Sequence, residues 1–83
     1  MMKQLKMVMD ELEVYQKDDS NVNFMAVGGY DGNDDIEIVQ FTENSPYILR
    51  IKMYERYGDG KILYFTFENE ELLVDFLEEN YIY

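Results

Sequence analysis

From Tyr47 the chain alternates strictly: Tyr47, Leu49, Ile51 and Met53 fall on one side, and Ile48, Arg50, Lys52 and Tyr54 on the other. A period of two marks an extended strand with one face buried, because successive side chains point to opposite faces. Such a strand needs neighbours and a covering layer, so the segment commits the chain to an antiparallel sheet with one side packed. The predicted strand runs from Tyr47 to Arg56. Gly58-Asp59-Gly60 then supplies a hairpin signal, and the next strand runs from Lys61 to Phe67, with Leu63, Phe65 and Phe67 on one face. Two strands are predicted upstream. Val22 to Val27 ends at Gly28-Gly29, where a bulge or a close backbone approach is expected. After a turn at Tyr30-Asp31-Gly32-Asn33 comes Ile36 to Phe41, and residues 42–46 form a loop.

Both ends of the chain carry the helical period. Met2, Leu5, Val8, Met9, Leu12 and Tyr15 recur at spacings of three and four, which predicts a helix over residues 2–17. Lys6 and Asp10, and Glu13 and Lys17, then stand four apart with opposite charge. Met7 and Val14 fall on the solvent side of that helix. A second helix is predicted from Glu70 to Asn80, with Asn69 as its N-cap and Glu70 and Glu71 in the first turn. Its expected apolar stripe is Leu72, Leu73, Phe76 and Leu77, extended by Tyr81. Short connections favour a meander, so the expected fold is α+β: a four-stranded antiparallel sheet in the order α-β-β-β-β-α, with both helices on one face.

A chain of 83 residues is one small domain, burying about 60–65% of its unfolded surface. Without cysteine or histidine it has no disulfide and no Cys/His zinc site to staple it, so the core rests on 47% hydrophobic residues, including eight Tyr and five Phe. The N-terminus is too often interrupted by polar residues for a signal peptide, and no run approaches the roughly 18 apolar residues of a membrane span. A cytoplasmic setting is expected.

The net charge of −11 is segregated. Residues 1–21 carry −2, residues 22–44 carry −5, residues 45–67 carry +2, and residues 68–83 carry −6 with no base at all. A phosphate backbone or an anionic membrane would be repelled, so no direct nucleic-acid or membrane binding is expected, and partners with basic surfaces are favoured. On the second helix Glu71, Asp75 and Glu78 are expected opposite the apolar stripe, flanked by Glu68 and Glu79. Like charges at this spacing destabilise a helix by about 0.2–0.5 kcal/mol per pair. Glu78 and Glu79 also sit at the negative end of the helix dipole. A surface selected for solubility alone intersperses its signs. Carboxylates three and four apart stand about 5–6 Å from one another, near enough to the step between phosphates to imitate part of a nucleic-acid backbone.

Other constellations fail on residue type or spacing. Ser-His and Cys-His nucleophiles are impossible here, and a paired-carboxylate site lacks room for a substrate cleft. Asp31, Asn33 and Asp35 begin like a calcium loop, but Ile36 replaces the sixth-position glycine and Thr42 the final glutamate. Gly28, Gly29 and Gly32 lack the GK[ST] element of a phosphate loop. No catalytic residue, metal site or cofactor is expected. Ile48, Tyr54, Ile62 and Tyr64 share the outward sheet face with Arg50 and Lys52, which suits an interface or a homodimer.

In size, charge and mixed α/β build the chain is similar to small phage or mobile-element inhibitors, such as anti-CRISPR and uracil-DNA glycosylase inhibitor proteins. The similarity extends to no motif. It implies a non-catalytic inhibitor or regulator that occupies a basic, nucleic-acid-binding surface of another protein. The expected contacts are Glu68, Glu71, Asp75, Glu78 and Glu79 on the last helix and Asp31, Asp34, Asp35 and Glu37 near the second strand. The alternative is an adaptor or immunity-type binder, homodimeric or not, that uses Tyr54 and Tyr64.

Overall fold

A computed structural model of the chain describes residues 4–30, 34–53 and 60–81, with Tyr30 and Asp34 by their backbone. The elements run α1 (Leu5–Glu11), β1 (Val14–Gln16), β2 (Phe24–Tyr30), β3 (Asp34–Gln40), β4 (Tyr47–Met53), β5 (Lys61–Phe67) and α2 (Glu70–Tyr81). The sheet is antiparallel throughout and ordered β1-β2-β3-β4-β5, a meander with both helices on one face. The fold is the expected α+β class, with five strands in place of four.

The additional strand comes out of the predicted first helix. α1 ends at Glu11, Leu12 caps it at φ −92° and ψ 0°, and Glu13 takes φ 58°. A left-handed residue just past the last turn is a usual way for a helix to stop. The chain then turns so that Val14 pairs with Gly28, Tyr15 with Val27 and Gln16 with Ala26. A continued helix would have left the outer edge of β2 unpaired. Val14 is therefore buried rather than solvent-facing, while Tyr15 emerges on the far side of the sheet, 60% exposed. Glu13 and Lys17 are no helical pair. Gly28 makes the turn possible: a Cβ there would run into the Glu13 carbonyl oxygen and the Val14 Cα. The close approach expected at Gly28 is present, and β2 continues through it to Tyr30.

The register aligns the core in rows. Ala26, Ile38, Leu49 and Phe65 are cross-strand neighbours, as are Gly28, Ile36, Ile51 and Leu63. Above them α1 contributes Leu5, Val8, Met9 and Leu12, and α2 contributes Leu73, Val74 and Leu77. Burying a large aliphatic side chain stabilises by about 1.5–3 kcal/mol, so these side chains fix how the helices sit. α2 begins where expected: the Leu72 N–H donates to Asn69 Oδ1 at 2.9 Å. Its buried stripe is rotated from the expected one, with Val74 buried at 2% exposure and Leu72 at 46%.

The loop after β3 is held by a buried amide. Gln40 accepts from Asn23 Nδ2 at 2.7 Å and donates to the carbonyls of Ser45 at 2.9 Å and Glu43 at 3.3 Å. This ties the loop at Glu43 and Ser45 to the end of β3 and to Asn23. The predicted extension of β4 to Arg56 and the Gly58-Asp59-Gly60 turn lie outside the described residues, as does the turn at residues 31–33.

Candidate functional site

The register decides which face each acid occupies. On β3, Ile36 and Ile38 point into the core, so Asp35 and Glu37 lie on the opposite, helix-free face. There they meet bases. Glu37 stands across from Arg50 and accepts from its Nη2 at 3.3 Å, and Asp35 stands across from Lys52. Cross-strand opposite charges stabilise a sheet by about 0.2–1 kcal/mol. The acidity of this strand is largely answered within the molecule. Asp34 pairs with Met53 along the backbone, and Asp31 lies outside the described residues.

The last helix is different. Glu68, Glu71, Asp75 and Glu79 are all exposed, and among the described residues none of them has an ion-pair partner. Burial of Leu73, Val74 and Leu77 turns Asp75 and Glu79 to the outermost line of the helix, with Glu71 beside them. Glu78 falls on the flank instead. It is half-buried, and its Oε1 is enclosed without a hydrogen-bond partner among the described residues. The two acidic stretches therefore face opposite sides of a molecule whose shortest extent is 20 Å. No flat partner surface touches both.

At the N-terminal end of the helix the expected Glu68 is joined by Glu43 and Glu70, which the spacing did not place with it. Glu43, Glu68 and Glu70 line an open depression of about 370 Å³ together with Gln40, Ser45, Tyr47 and Asn69. Glu43 stands in a loop that the Gln40 amide holds by local hydrogen bonds to the Glu43 and Ser45 carbonyls. Burial, and then the nearby Glu70 carboxylate, hold the Tyr47 hydroxyl above its ordinary pKa of 10.0. A second groove, of about 350 Å³, runs between α1 and β1 and is lined by Leu5, Met9, Val14 and Phe24 with Lys6, Asp10 and Glu70. Among the described residues no three His, Cys, Asp or Glu side chains are grouped to hold a metal ion.

The open sheet face carries Tyr64, 67% exposed, with Ile62, Tyr15 and Ile48 around the Arg50–Glu37 pair. Tyr54 lies outside the described residues. No described helix is long and apolar enough to cross a membrane. Compared with known proteins, the chain matches no family model, no curated protein and no solved structure.

Proposed function

We propose that the protein is a non-catalytic inhibitor or regulator that sets the acidic outer face of α2 into a basic, nucleic-acid-binding surface of a partner protein in the cytoplasm. One observation carries the reading: Glu71, Asp75 and Glu79 line an exposed helix face with no base among them, where mutual repulsion opposes carboxylates and, at Glu79, the helix dipole opposes them too. Glu43, Glu68 and Glu70 form a separate acidic cluster around the depression at the helix N-terminus. Asp35 and Glu37 are left out of the contact, because Lys52 and Arg50 face them.

The test is capture of partners from lysate on immobilised protein, followed by release with salt or with duplex DNA. The reading expects nucleic-acid-binding proteins, released by either agent. Reversing Glu71, Asp75 and Glu79 to Lys abolishes capture, while reversing Asp10 and Glu11 on α1 leaves most of it. Capture indifferent to ionic strength and to the α2 reversal sinks the proposal.

A second reading rests on the exposure of Tyr64 and Ile62 on the edge strand of an uncovered sheet face. In that case Tyr64→Ala removes partner binding and the α2 reversal does not.

A further inference from the structure

The sheet has two edges, and they are unequal. β1 is three residues long. β5 is seven residues long, contains no proline, and carries a charge only at its first residue, Lys61. Native edges are normally shortened, kinked or charged, because an open row of N–H and C=O groups pairs with any strand that reaches it. β5 is also apolar on both faces. Ile62 is 46% exposed and Tyr64 67% on the open face, and Leu63 is 38% exposed on the helix side. The flank of α2 above this edge continues the pattern. Phe76 packs on Phe65 and Phe67 at ring-centroid distances of 4.7 and 5.2 Å, which places that flank on the β5 side. By helical spacing Asn69, Leu72, Phe76 and Asn80 share its line. None is acidic, although Asp75 and Glu79 border Leu72 on the solvent side, and Leu72 is 46% exposed.

We infer that β5 is a homodimerisation edge, pairing antiparallel with the β5 of a second copy to form one continuous ten-stranded sheet. The strand is complementary to itself. Full pairing of Lys61–Phe67 puts the two-fold axis at Tyr64, so Tyr64 faces Tyr64, Leu63 faces Phe65 and Ile62 faces Thr66 of the second copy. Lys61 then faces Phe67 of the second copy on the helix side. Sign also favours a second copy here, because residues 45–67 carry +2 in a chain whose net charge is −11. The outer line of α2, with Asp75 and Glu79, points away from this edge and stays free in the dimer.

Sedimentation equilibrium of the full chain over a concentration series tests the inference. The expected mass rises with concentration from 10.0 kDa toward twice that value. Tyr64→Glu sets two carboxylates against each other across the two-fold axis and yields a monomer, with circular dichroism and thermal melting showing that the fold is kept. Ile62→Glu and Thr66→Lys each raise the dimer dissociation constant by about fivefold, and the double swap, which sets opposite charges across each pair, restores it. Such rescue must pass between copies, since the two residues stand four apart on one extended strand. A chain of monomer mass at every concentration overturns the inference. So does a dimer unaffected by Tyr64→Glu, or a double swap that fails to rescue.

Discussion

Glu13 and Gly28 set the start of the sheet between them. Glu13 holds a left-handed backbone without being glycine, at φ 58°, a conformation that costs an ordinary residue about 1–2 kcal/mol. Gly28 leaves the space into which the Glu13 carbonyl comes. Opposite outcomes follow at the two positions. Gly28→Ala drives a methyl into backbone atoms that no rotamer change can clear, so it lowers stability by about 2 kcal/mol, or about 10 °C in Tm for a chain of this size. Glu13→Gly removes the left-handed penalty and raises stability by up to about 1 kcal/mol. Thermal melts of the two variants check both signs. Tyr47 gives a pH test at the same scale. Its folded pKa lies above the unfolded value, so the stability it supplies is present below about pH 10 and is lost as pH rises through the raised folded pKa. Between pH 9 and 11, roughly, the stability of the parent therefore falls more steeply than that of Tyr47→Phe. Parallel denaturant titrations measure the difference; equal slopes would refute it.

At the scale of the element, legibility followed how local the deciding chemistry is. β5 and the start of α2 were readable because an alternating apolar face and an N-cap act within a few residues, and the Asn69 cap is made as expected. β1 was not readable. Three residues are too few to show a period of two, and Leu5 to Tyr15 fits the helical period across the break at Glu13. α2 offered two overlapping stripes, one centred on Leu72 and Leu73 and the other on Leu73 and Val74. Only packing on the sheet selects the second, and that choice moves Glu79 outward and Glu78 to the flank. A prediction follows for this ridge. Glu79→Lys places a base in the last helical turn, where none exists, and stabilises the protein by about 0.3–1 kcal/mol. The same variant binds the proposed basic partner more weakly. Melting and binding measured side by side decide it, since a purely solubilising ridge gives the first effect without the second.

Across the whole molecule the charge is arranged by layer, and this was the least legible feature. Sequence blocks located the acids along the chain, but strand register decided that Asp35 and Glu37 face bases on the open sheet while the α2 acids face solvent. The thin dimension of 20 Å exceeds the Debye length of about 8 Å at physiological salt, so the two acidic stretches hardly sense each other. Repulsion is instead local to the helix layer, between neighbours about 5–6 Å apart. With 18 acids against 7 bases, added salt screens more repulsion than attraction within the folded chain, and stability rises. The same screening removes the attraction between the α2 ridge and a basic partner, and affinity falls. A single sodium chloride titration, from about 0.05 to 0.5 M, therefore moves the two readouts in opposite directions: Tm climbs by a few degrees while the partner's dissociation constant increases at least about tenfold. A neutral osmolyte at matched osmolality does not weaken binding, because it leaves the field of the ridge intact. Should Tm and affinity rise together with salt, the contact is apolar, and the exposed sheet face around Tyr64 becomes the binding surface.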